Sequence, residues 1–126
     1  MEQFNILLVD DEVDFVETLA KRLELRDYSV HGVHRGEDAL EALERFPADV
    51  VVLDVMMPGI GGVETLRHIK KRYPAVEVII LTGYTSTDTA IEVMEIGAFD
   101  YLIKPIALEE LLYRLQDGYQ KKVSGS

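Results

Sequence analysis

The sequence predicts a single α/β domain, a five-stranded parallel sheet with helices on both faces, and three observations predict it. Four short, continuous apolar runs, at residues 6–9, 50–53, 78–81 and 101–103, are too brief for solvent-facing helices and are dominated by Val, Ile and Leu. Such runs read as strands buried on both faces of a sheet. Between them lie segments whose apolar residues recur at spacings of three and four, the stripe of an amphipathic helix. Strand and helix then alternate strictly, which implies parallel strands joined by right-handed helical crossovers.

The elements follow in order. Ile6-Leu-Leu-Val9 is the first strand, and Val16, Leu19, Ala20 and Leu23 mark the first helix. Tyr28-Ser-Val-His-Gly-Val33 alternates and suits a strand at or near an edge. Gly36, Ala39, Leu40 and Leu43 form the second helical stripe, with Pro47 as its stop. Val50-Val-Val-Leu53 is the third strand. Val63, Leu66 and Ile69 define a third helix closed by Pro74, before the strand Val78-Ile-Ile-Leu81. Ala90, Ile91, Val93 and Met94 lead to Gly97, a good helix C-cap. Tyr101-Leu-Ile103 is the fifth strand, and Leu108, Leu111, Leu112 and Leu115 make the last amphipathic helix.

The chain has 126 residues, a length that suits one domain. A formal net charge of −10 argues against nonspecific binding of nucleic acid or anionic membrane by this domain. Cysteine is absent, so no disulfide framework, Cys-based zinc site or thiol nucleophile exists. The apolar runs are far shorter than a membrane span and no signal-type leader is visible, which points to a cytoplasmic protein. Val-Ser-Gly-Ser at the end reads as a linker or cloning remnant, so the domain is expected over residues 1–123, with 124–126 outside it.

In an open parallel sheet the ligand chemistry lies beyond the carboxyl ends of the strands. The first strand ends in Asp10-Asp11-Glu12, the third in Asp54, the fourth in Thr82 and the fifth in Lys104-Pro105. Taken singly, each has an ordinary reading: Asp11 as a helix N-cap, Asp54 as a turn residue, Thr82 as a loop hydroxyl, Lys104 as a solvated lysine. Their arrival together at four strand ends is specific. Carboxylates converging in one pocket repel unless a cation neutralises them, and Mg²⁺ takes one or two carboxylates with waters and phosphate oxygens. Lys104 adds positive charge, and Thr82 a hydroxyl for an incoming oxyanion. The set suits phosphoryl transfer to a carboxylate, where catalysis is chiefly positioning and charge neutralisation.

Four segments carry a family resemblance: Leu8-Val-Asp-Asp-Glu12, Val52-Leu-Asp-Val-Met-Met-Pro-Gly59, Ile80-Leu-Thr-Gly83 and Gly97-Ala-Phe-Asp-Tyr-Leu-Ile-Lys-Pro105. With these the chain resembles the receiver domain of two-component response regulators from Ile6 to about Tyr119. The resemblance implies a flavodoxin-like receiver fold with strand order 2-1-3-4-5. It implies that Asp54 accepts a phosphoryl group from a sensor histidine kinase or phosphotransfer protein. Asp11 would ligate Mg²⁺ directly, Asp10 mainly through water, and Met56 through its backbone carbonyl. Lys104 would pair with Asp54 and then with the phosphoryl group, its bond to Pro105 being cis.

Thr82 and Tyr101 would form the switch pair, remodelling the surface of the fourth helix, fifth strand and fifth helix. Homodimerisation on phosphorylation and a downstream output such as transcription would follow. Met56 and Tyr84, flanking the phosphoryl group, offer no good general base and are expected to give slow self-dephosphorylation. The domain would be a regulatory phosphoacceptor, catalysing only its own phosphorylation and dephosphorylation. The alternative is a pseudo-receiver, an interaction module with the same fold that is not phosphorylated. A dinucleotide fold lacks its glycine turn here and a P-loop its Gly-Lys-[Ser/Thr]. His31 and His34 sit at odd separation, and His68 lies on a basic helical face, so none is expected to act.

Overall fold

A computed structural model describes residues 2–125. Its elements alternate as β1 (Asn5–Val9), α1 (Val13–Glu24), β2 (Ser29–Val33), α2 (Gly36–Leu43), β3 (Val50–Leu53), α3 (Gly61–Arg72), β4 (Glu77–Thr82), α4 (Thr87–Ile96), β5 (Asp100–Ile103) and α5 (Leu108–Ser124). All strand pairs are parallel and the sheet order is β2-β1-β3-β4-β5, as expected. The chain reverses direction across the sheet between β1 and β3, which leaves a crevice at their carboxyl ends.

Period-two alternation sorts the strand residues between two cores. Ile6, Leu8, Val50, Val52, Ile79 and Leu81 face α1 and α5, joining Leu19, Leu23, Leu111 and Leu115. Leu7, Val9, Val51, Leu53, Val78 and Ile80 face the other way, packing with Ala39 and Leu43 of α2, Leu66 and Ile69 of α3, and Val93 of α4. Burying both faces explains why these strands carry unbroken apolar runs. β2, at the edge, is exposed or half-buried throughout and alternates in sequence for that reason.

Three details differ from the sequence reading. β4 begins one residue early, at Glu77, which is 4% exposed. In α4 only Val93 of the predicted stripe is buried, while Ile91 and Met94 face outward. Helix α5 runs through Ser124 and closes on Gly125 at φ 73°, so it passes the expected domain end at residue 123. Ser126, the last residue of the expected linker, and Met1 lie outside the described residues.

Packing also brings α3 to the site. Gly62 sits so close to the end of β3 that an added Cβ would collide with the Asp54 carbonyl oxygen. Only glycine allows the start of α3 to sit against the backbone of Asp54.

Candidate functional site

The parallel ladder reaches one residue beyond each strand and so fixes the site backbone. Asp10 N–H donates to Val33 (3.2 Å), Asp54 N–H to Val9 (3.0 Å) and Lys104 N–H to Thr82 (2.8 Å), each to the carbonyl oxygen. Three strand ends then make the same local turn. Asp10 Oδ1 accepts from Glu12 N–H (2.9 Å), Asp54 Oδ1 from Met56 N–H (2.9 Å) and Thr82 Oγ1 from Tyr84 N–H (3.1 Å). These are Asx and Ser/Thr turns, in which a short polar side chain replaces the next ladder bond. Each carboxylate thereby has one oxygen tied to backbone and the other, Oδ2, turned inward.

Those inward oxygens meet Lys104. Its Nζ lies 2.7 Å from Asp10 Oδ2, 2.8 Å from Glu12 Oε1 and 3.4 Å from Asp54 Oδ2. Asp10 and Asp54 are buried, and the Lys104 side chain is 15% exposed. Burial alone would depress the Lys104 pKa, but hydrogen bonds from its ammonium to Asp10 and Glu12, with the Asp54 charge nearby, raise it well above that of a solvated lysine. The ammonium is therefore firmly charged. Burial raises the Asp10 carboxyl above its ordinary range, against the opposing Lys104 contact and the Glu12 amide. Three acids thus share one cation, which leaves the cluster short of positive charge.

The oxygens of Asp10, Glu12 and Asp54 lie within 4.8 Å of one another and could hold a metal ion. An all-carboxylate set of hard donors, without sulfur or imidazole, fits Mg²⁺. Asp11 is exposed and stands at the mouth above, a shallow opening of about 360 Å³ that also takes in Glu12, Asp54, Met56, Thr82, Gly83 and Tyr84. Met56 and Tyr84 are 55% and 41% exposed there. The geometry therefore adds Glu12, which sequence reasoning treated only as part of an acidic run, to the inner cluster, while Asp11 lines the mouth.

Thr82 is fully buried at the end of β4. Tyr101 on β5 is half-buried, and its hydroxyl donates to the Tyr84 carbonyl oxygen at 2.6 Å. Burial raises its phenol pKa. The Lys104–Pro105 bond is cis. Two neighbours join the site against the sequence expectation: His34, expected to take no part, and Phe15, which no motif singles out. His34 donates from Nδ1 to the Asp10 carbonyl oxygen at 3.0 Å, and the Phe15 ring centroid is 4.2 Å from Lys104 Nζ. No periodicity or motif marks either, because the contacts join β1 to the loop after β2, and α1 to the loop after β5.

Paired strand-end acids, a lysine and a buried threonine at the crevice of a 2-1-3-4-5 sheet define a class of domain whose pocket fits a phosphoacceptor site. Comparison with known proteins makes the assignment narrower. The family model described as "Response regulator receiver domain" matches residues 6–116, and the chain belongs to that family. It is 40% identical over 116 residues to the uncharacterized transcriptional regulatory protein YkoG of Bacillus subtilis (strain 168), covering 92% of this chain and 51% of that one. It is 39% identical over 116 residues to the transcriptional regulatory protein ZraR of Klebsiella oxytoca, covering 92% of this chain and 26% of that one. The BeF3-activated N-terminal receiver domain of Klebsiella pneumoniae RstA is 30% identical with a TM-score of 0.86, over 92% of this chain and 98% of that one. The chain thus spans a quarter to a half of the two regulators. Among the described residues, no helix is long and apolar enough to cross a membrane.

Proposed function

We propose that Asp54 is the phosphoacceptor of this receiver domain, taking a phosphoryl group from a sensor histidine kinase or phosphotransfer protein. The observation that carries the reading is the state of its carboxylate. Oδ1 is fixed by the Met56 amide, while Oδ2 faces the Lys104 ammonium in a buried crevice. A nucleophile held by one oxygen and presented by the other has its orientation settled before the donor arrives. Transfer leaves an acyl phosphate on Asp54 and returns the donor's leaving group. Lys104 then has a phosphoryl oxygen to pair with, and the buried Thr82 hydroxyl stands on the next strand to meet another. The domain supplies this chemistry to itself, as a regulatory protein that promotes its own phosphorylation and dephosphorylation.

Asp10, Asp11, Asp54 and the Met56 carbonyl, with Glu12 added by the geometry, would hold Mg²⁺. Bound there, Mg²⁺ would neutralise charge that the single lysine leaves uncompensated. Phosphorylation then acts through Thr82 and Tyr101 on the α4–β5–α5 surface, where homodimerisation is a natural consequence. That its relatives carry the names of transcriptional regulators supports transcription as the output. The acidic domain would work in the cytoplasm, leaving DNA to other parts of such proteins.

Intact-mass measurement after incubation with acetyl phosphate and Mg²⁺ tests this. One added phosphoryl group in the wild type and none in Asp54→Ala is the expected result. Full labelling of Asp54→Ala would overturn the assignment, and no labelling of the wild type would favour a pseudo-receiver.

A further inference from the structure

The surroundings of Lys104 are asymmetric. Its ammonium is 2.7 Å from Asp10 and 2.8 Å from Glu12, but 3.4 Å from the proposed acceptor Asp54. Glu12 occupies the N-cap position of α1, yet its side chain makes no capping hydrogen bond and reaches Lys104 instead. Phe15, three residues on, lies on the same face of the first turn. Its half-buried ring stands 4.2 Å, centroid to nitrogen, from the same ammonium. Phe15 and Lys104 both line a largely apolar cavity of about 380 Å³ between α1 and the start of α5, with Leu19, Ile106 and Leu111. The mouth over Asp54 opens elsewhere, among Asp11, Met56, Thr82 and Tyr84.

We propose that Phe15 is a positioning residue: its ring and the Glu12 carboxylate form a resting berth that holds the Lys104 ammonium on the α1 side, in competition with the phosphoacceptor. An aromatic face attracts a cation through its quadrupole and displaces water from that side without removing charge. A leucine of similar bulk fills space but offers no such attraction. The berth therefore sets how readily Lys104 reaches a phosphoryl group on Asp54. When that group forms, its added negative charge draws the ammonium across. The inference rests on Asp54 being the acceptor and concerns what the lysine does before transfer.

Two readings test it, one of them free of any variant. The ring current of Phe15 shifts the ¹H resonance of the Lys104 ε-methylene upfield, and NMR of the metal-free wild type is expected to show that shift. Addition of beryllofluoride with Mg²⁺ should return the resonance toward the ordinary lysine position. In Phe15→Leu the shift should vanish and beryllofluoride should bind roughly three- to tenfold more tightly, the range expected for loss of one partly desolvated cation–π contact. Phe15→Tyr should behave as the wild type. In metal-free Glu12→Gln the shift should shrink, because the carboxylate no longer draws the ammonium to the ring.

A Lys104 resonance that is unshifted in the resting wild type, or equally shifted with and without beryllofluoride, would overturn the berth. So would unchanged or weaker beryllofluoride binding by Phe15→Leu. A wild type that binds no beryllofluoride and takes no phosphoryl group would instead sink the phosphoacceptor reading itself, so the two failures are distinguishable.

Discussion

Replacing Lys104 with methionine keeps the stem and removes the only cation that Asp10, Glu12 and Asp54 share among the described residues. Removing one member of a fully buried ion pair costs about 3–5 kcal/mol, because a desolvated charge is left without a partner. Here the value must be reduced. Glu12 is 64% exposed and its pairing is screened by water, so it contributes little. Asp10 and Asp54, with side chains 5% and 7% exposed, carry nearly all of the loss. A destabilisation of about 2–3 kcal/mol near pH 7 follows in the absence of divalent ions. For a domain of this size that lowers Tm by roughly 8–12 °C.

The pH dependence is the more discriminating part. Lys104 has a folded-state pKa above its unfolded value, so its stabilisation is fully present below the unfolded lysine pKa and is lost only in strong alkali. The variant's deficit must therefore come from its carboxylates. It should be largest at pH 7–8 and narrow in acid, where Asp10, whose pKa burial already raises, takes up a proton. Thermal unfolding of both proteins from pH 4 to 8 in a chelator would read it. Mg²⁺ should then stabilise the variant more than the wild type. A variant as stable as the wild type at pH 7, or a gap that does not close in acid, would refute the charge-sharing argument.

Three further outcomes are expected. Mg²⁺ should bind weakly, as few protein ligands and several retained waters imply, and Asp11→Ala should lose it more completely than Asp10→Ala in a titration followed by amide shifts. Tyr101→Phe removes the hydroxyl that donates to the Tyr84 carbonyl and should raise amide exchange across residues 84–96, while a phosphoryl mimic should change exchange over residues 84–115 in the wild type only. Met56→Asn with Tyr84→Glu places an amide and a carboxylate at the mouth and should shorten the phosphoryl lifetime several-fold in a phosphate-release time course, in which the parent is expected to be slow.

The sheet was legible in the sequence because both of its faces are buried. Strands such as Val50–Leu53 advertise themselves as unbroken apolar runs, and the strand-end rule then places Asp10, Asp54, Thr82 and Lys104 in one crevice. What the sequence withheld depends on side-chain reach between elements far apart in the chain. Glu12 and Asp11 are adjacent acids, and only the turn made by Asp10 sends the first to Lys104 and the second to the mouth. Phe15 reads as an ordinary helix residue until α1 is laid beside residue 104. The α4 stripe misled for a related reason. Ala90, Ile91, Val93 and Met94 look like a core face, but only Val93 of that stripe is buried, with Ile96 packing beside it against the core.

That lighter docking bears on what a phosphoryl group on the proposed acceptor Asp54 would move. Leu19 and Leu23 of α1, Leu66 and Ile69 of α3, and Leu111 and Leu115 of α5 are all buried, so displacing any of those helices would expose several large side chains at about 1.5–3 kcal/mol each. Displacing α4 exposes less: fully buried Val93 and half-buried Ile96, which packs against the same core. Its polar ties are near the surface: the Arg67–Glu92 ion pair to α3 at 2.9 Å, and the Tyr101 hydroxyl at the loop that precedes it. An exposed pair of that kind contributes at most about 1 kcal/mol. A phosphoryl group acting through Thr82, as proposed, would therefore have fewer buried contacts to overcome in shifting α4 than in shifting α1, α3 or α5. The apolar side chains α4 leaves outward, Ile91 and Met94, are then available to whatever surface the switched state presents.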